Sequence, residues 1–290
     1  MRIAQIARVT RTSACIASIT LSGALGAQGL SYDMSTTATG PDRTGVVATR
    51  TVMAAHGQFA GSSSRIDVTQ SLSPGGMMSQ GTYMITSGSK GTVTSVDPAK
   101  HQYTVIDIAE LGKSASDMQT SLSGVAKIEI ANVKVDVQDL GAGEPLDGYP
   151  TYKYRITQSY TMNIIVMGRT TGSPSQSVTD IWVAPQLDGL MDPSARPSTA
   201  SSSGPMAELT KQLLLAYGKV RKGLMLKRIT TMESGAGARK HTTTVTTTIT
   251  NVKKSAISPS VFEVPSGYSK VEMMDAAAAQ TAAGGRAKPD

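Results

Sequence analysis

Cysteine is almost absent from this sequence: the 290-residue chain has one, Cys15. It sits inside an N-terminal apolar segment, so the rest of the chain can form no disulfide and no thiolate metal site. Histidine is nearly as scarce. His56, His101 and His241 lie far apart, with no spacing that suits a metal. Aromatic residues make up 4% and charged residues 17%. That is too little of either for the basic, aromatic-laced stripes of a nucleic-acid interface. No G-x-S-x-G elbow, Walker loop or dinucleotide fingerprint occurs. Ser87-Gly88-Ser89-Lys90 matches S-x-x-K, but it lies in a Gly/Ser turn and does not open a helix. These absences point away from an enzyme and away from any cofactor.

The N-terminus has a definite character. Arg2, Arg8 and Arg11 precede a short apolar stretch, residues 14–21, and small residues follow to Ala27. A basic start, a short apolar segment and a small-residue exit make a cleavable signal peptide over 1–27. The apolar run falls well short of the ~20 residues needed to span a bilayer. The expectation is a periplasmic or secreted chain with no transmembrane span after cleavage. The signal holds three of the 28 basic residues and none of the 21 acidic ones, so the net charge falls from +7 to +4. Such a mild excess does not call for nucleic acid as a partner.

Threonine, serine, glycine and valine are abundant, as in twisted sheets joined by turns. Strands are expected at 32–38, 45–55, 65–72, 82–86, 92–96 and 102–108. A short helix is expected at 110–122. In 127–139, Ile128 and Ile130 alternate on even positions, whereas Val133, Val135 and Val137 alternate on odd ones. A β-bulge near Ala131-Asn132 reconciles the two. The next strand is the clearest. Tyr152, Tyr154, Ile156, Tyr160, Met162, Ile164 and Val166 share one face, interrupted only by Gln158. At ~3.4 Å per residue it approaches 50 Å, which favours a sheet that coils into a half-barrel.

A hairpin loop is expected over 168–177 and a strand carrying Trp182 over 178–183. Pro205 opens a helix whose stripe is Met206, Leu209, Leu213, Tyr217, Val220 and Leu224, with Lys219, Arg221 and Lys222 in its last turn. Strands at 224–232, 241–252 and 262–271 are expected to close the sheet, and 276–290 is expected to be a disordered tail. The fold class is α+β: one strongly curved antiparallel sheet, a half-barrel, with one or two helices on its concave face. It forms a single domain over 28–275.

The candidate ligand surface is Tyr152, Tyr154, Ile156, Tyr160, Met162 and Ile164, joined by Trp182 and by Met77 and Met78 in a glycine loop. Gly148-Tyr149-Pro150-Thr151-Tyr152-Lys153-Tyr154-Arg155, Asp180-Ile181-Trp182-Val183-Ala184-Pro185 and Val261-Phe262-Glu263-Val264-Pro265-Ser266-Gly267-Tyr268 resemble an uncharacterised family of exported bacterial proteins. That family is similar in architecture to the LolA/LolB-type lipoprotein carriers. The resemblance implies a half-barrel holding a lipid or lipoprotein acyl chain. The alternative is an envelope protein–protein interaction module with a filled core, using the basic cluster from Lys219 to Arg228.

Overall fold

The computed structural model describes residues 27–41, 44–72, 78–110, 113, 126–187, 206–234 and 241–272. The expected signal peptide up to residue 26, the expected tail, Met77 and nearly all of the expected 110–122 helix lie outside them. The described residues form one 12-stranded sheet. The strands are β1 (Ala27–Pro41), β2 (Val47–Ala60), β3 (Ser63–Ser71), β4 (Tyr83–Ser87), β5 (Thr92–Asp97), β6 (Gln102–Asp107), β7 (Ala126–Ala142), β8 (Tyr152–Val166), β9 (Arg169–Ala184), β10 (Leu224–Ser234), β11 (His241–Ile257) and β12 (Ser269–Lys270). A helix, α1 (Ala207–Tyr217), precedes β10, and the described residues 108–110 and 113 are helical as well.

The order is β12-β6-β5-β4-β3-β2-β1-β11-β10-β9-β8-β7. Two meanders, β1–β6 and β7–β11, run in opposite directions from the β1–β11 seam. Every pairing is antiparallel except the short parallel β12–β6 contact. The sheet is open, with β7 and β12 at its two ends. The chain is thus mainly β, an α+β arrangement around one antiparallel sheet.

Register assigns each residue to one of two faces, because directly paired residues point the same way. Tyr154 pairs Ile181, Ile181 pairs Arg228, Arg228 pairs Thr247, and Thr247 pairs Thr36. This side also carries Leu30, Tyr32, Phe59 and Ile249, which form a core with Leu187, Leu224 and Leu226. It is called here the helix face. Gly57 sits opposite Tyr32, and a Cβ there would collide with the Tyr32 ring, so the ring lies on bare backbone.

Two corrections concern β8–β9 and the C-terminus. The loop expected at 168–177 is strand: β8 turns directly into β9 through Met167 and Gly168, both at positive φ (49° and 77°), the two-residue geometry that suits strand twist. Pro174 is tolerated because this part of β9 lies beyond Gln176, the last β9 residue that β10 reaches. The strand expected at 262–271 is instead a 3-10 turn, Pro259–Phe262, an irregular segment and the two-residue β12. Pro259 and Pro265 remove donors that a ladder would need. A third correction concerns the cations: α1 ends at Tyr217, so Lys219, Arg221 and Lys222 follow the helix and none lies in its last turn.

Candidate functional site

The expected ligand surface begins on β8. Its alternation puts Tyr152, Tyr154 and Ile156 on the helix face, where Tyr154 and Ile156 form a cluster with Ile181 and Val183 of β9. Leu213 and Tyr217 of α1, with Val220 just beyond it, pack onto this cluster, as do Val135 and Val137 of β7. Of the expected stripe, Leu213, Tyr217 and Val220 therefore meet this cluster and Leu209 is buried, whereas Met206 is exposed and Leu224 belongs to β10. Burial pushes the Tyr217 hydroxyl above its ordinary titration range. Arg221 stacks on the Tyr152 ring at 3.6 Å, so one cation of the basic cluster is tied to the site.

The same face continues beyond the helix. Tyr160, Met162, Ile164 and Val166 follow on β8, and Ile130 and Ile128 of β7 pair Met162 and Ile164. Met162, Ile164 and Ile128 are 36%, 41% and 45% exposed, against 2% for Tyr154. The bulge lies where the alternation changes. Asn132 has φ 55°, and β7 advances from Ala131 to Lys134 while β8 moves from Thr161 to Ser159. The extra residue returns Val135 and Val137 to the face already held by Ile128 and Ile130. Among the described residues, one apolar row thus runs along β7 and β8, covered by α1 at one end only.

Trp182 is elsewhere. It pairs Lys153 of β8 and Lys227 of β10, which places it on the reverse face. Their ammonium groups stand 4.5 and 4.9 Å from its ring centroid. Beside it, Arg155 donates to both oxygens of Asp180, at 2.7 and 2.8 Å, and Lys153 lies 3.1 Å from the same carboxylate. The hydrogen bonds from Arg155, then those from Lys153, hold the Asp180 carboxyl below its ordinary range. Lys227 also bonds Glu144, in a loop whose Asp147 accepts from the backbone N–H groups of Asn251 and Val252. The loop is thereby fastened across the ends of β8–β11.

Met78 is half-buried, between β3 and β4. Six of the candidates, Tyr152, Tyr154, Ile156, Tyr160, Met162 and Ile164, therefore share one face, and Trp182 does not join them. The alternation of 152–166 gave the first group. It could not place Trp182, because Ile181, Trp182, Val183 and Ala184 are apolar on both faces. The reverse-face ion pairs carried a weak signal in Lys153 and Arg155 at alternate positions.

A cleft of about 320 Å³ is lined by Tyr160 of the candidate set together with Lys134, Ser159, Thr161, Gln176 and Glu233 among others. Apart from Tyr160, these named residues are polar and lie on the reverse face by register. Among the described residues no group of three or more His, Cys, Asp or Glu side chains could hold a metal ion. No described helix is long and apolar enough to cross a membrane. No protein-family model matches the chain, and no curated protein matches its sequence.

Proposed function

We propose that this is an exported envelope protein whose sheet curves into a half-barrel, with α1 on the concave side. It binds a lipid or lipoprotein acyl chain, or a ligand of similar apolarity, along the helix face beyond α1. The observation that carries this reading is the row of Met162, Ile164, Val166 and Ile128, which continues a buried face yet stands open to solvent. Apolar rows of this kind stay exposed at a cost unless something occupies them. Tyr152, Tyr154 and Ile156 serve as the packed floor at one end, and Tyr160, Met162 and Ile164 make the contact. Export is supported by the basic-then-apolar N-terminus. Removing residues 1–27 would cost the described strand pairings only the terminal Ala27–Ile257 pair.

Native mass spectrometry of the purified protein tests the reading. Adducts of lipid mass that disappear in a Met162→Asp/Ile164→Asp double variant are expected. A wild-type protein free of lipid and unable to take up added acyl chains contradicts it.

A second reading, an interaction module for another envelope protein, has its own observation. Lys219, Arg221 and Lys222 are all exposed beside the exposed Leu215 of α1. A pull-down from envelope extract in which a triple charge reversal of these cations abolishes one discrete partner would favour it. Identical capture by wild type and variant would remove it.

A further inference from the structure

Edge strands are usually short or guarded, because their unpaired N–H and C=O groups invite another strand. β12, at one end of the sheet, has two residues; β7, at the other, has 17. Among the described residues nothing pairs on the outer side of β7. Its charges have an order that simple guarding does not require. On the reverse face it shows Lys127, Glu129, Ala131, Lys134 and Asp136, each placed by its β8 partner. On the helix face it shows Ile128, Ile130, Val135 and Val137, and Val133 falls with them by alternation.

We propose that β7 pairs antiparallel with β7 of a second copy of this chain, about a two-fold axis between Ala131 and Asn132. In that register Lys127 faces the partner's Asp136, and Glu129 faces the partner's Lys134. On the other face Ile128 meets the partner's Val135, and Ile130 meets the partner's Val133. Every charged residue in the paired stretch thus meets an opposite charge, and the four branched residues meet one another; Ala131 and Asn132 face each other at the axis. The bulge at Asn132 is what makes this work. Without the extra residue, the two halves of β7 would present opposite faces to each other across the axis.

Lys134 and Asp136 make no ion pair among the described residues, and Lys127 reaches only Glu129, two positions along its own strand, at 2.6 Å. The pairing gives all four a partner. It also joins the exposed helix-face rows of the two copies, since Ile128 comes beside the strand region over which the partner's α1 lies. The inference rests on the edge and its register, not on the ligand reading.

Light scattering across a concentration series, with the chain lacking its signal segment, tests it. The wild type is expected to be a dimer. Glu129→Lys and Lys134→Glu each set like charges opposite one another twice, by symmetry, and are expected to weaken the dimer about tenfold. Mixing the two variants restores both pairs and is expected to yield a one-to-one heterodimer as tight as wild type. Lys127→Glu and Asp136→Lys provide the same cross-rescue at the outer pair, should one of the first variants fold poorly. A monomeric wild type overturns the proposal and leaves the charges as edge protection. Single variants that dimerise like wild type, or a mixture that stays monomeric, overturn it as well.

Discussion

The two ends of the sheet are finished on opposite faces and by different means. At β7–β9 the helix face is covered by α1, which brings Leu213 and Tyr217 onto Tyr154 and Ile156. At β3–β6 it is the reverse face that is covered, by the C-terminal segment. Phe262, Val264 and Tyr268 pack there on Tyr83, Ile85 and Val96, and Arg65 donates to the Val261 carbonyl. A helix has one stripe and a fixed rise of ~1.5 Å per residue, so 11 residues span only about five positions of the strand below. An irregular segment can place an aromatic wherever the sheet needs one. The cluster of Tyr83, Ile85 and Val96 is therefore closed by its cover, with Val105 alone left 38% exposed beside it on β6, whereas several residues of the apolar row of β7–β8 run on past the helix and stay exposed. That surplus is the basis for the functional reading.

Several substitutions would break or sharpen the contrast. Ile156→Ala, beneath α1, should cost about 3 kcal/mol in urea unfolding, the ordinary loss for a buried large-to-small change. Phe262→Ala should cost less, about 2 kcal/mol, because its ring is only half-buried. A larger loss for Phe262 than for Ile156 would reverse the ranking of the two covers. Asp180→Asn on the reverse face should cost about 1 kcal/mol near neutral pH. The Asp180 carboxyl is held below its ordinary value of 3.8, so its contribution is present above that value and lost as pH falls through the lowered one. The variant should accordingly lose less stability than wild type on acidification below about pH 4.

Tyr83→Phe probes the other cover. The Tyr83 hydroxyl is buried with no hydrogen-bond partner among the described residues, under the Arg65 guanidinium at 3.8 Å from the ring. Removing an unsatisfied hydroxyl should leave stability unchanged or raise it by about 0.5 kcal/mol. A clear loss would mean that this cluster is wetter than its burial indicates. Ile164→Thr, in the open row, should change stability by less than ~0.5 kcal/mol, the usual surface effect.

How much of this could be read from the sequence depended on whether a strand had one dry face. β8 could be read nearly to the residue, because its tyrosines and isoleucines alternate with Lys153, Arg155, Thr157 and Ser159. The change of phase between Ile130 and Val133 located the bulge. β9 was cut short because Gly172 and Pro174 are turn residues, and only the tertiary fact that β10 stops at Gln176 makes them acceptable in a strand. Phe262 to Tyr268 has strand composition but covers a sheet without joining it as a ladder, a distinction that depends on what lies beneath. Which face α1 would cover was fixed by register across β7, β8 and β9, and no local pattern encodes that.

The central claim is that the open row beyond α1 is a binding surface and not a mere excess of apolar residues. The most direct measurement is titration of the chain without residues 1–27 with a fluorescent fatty acid, comparing wild type with Met162→Asp/Ile164→Asp and with Ile85→Ala as a control in the covered cluster. The account predicts saturable binding by wild type and by Ile85→Ala, lost in the double variant while its circular dichroism stays that of the folded sheet. Equal binding by all three proteins, or none by the wild type, would contradict it.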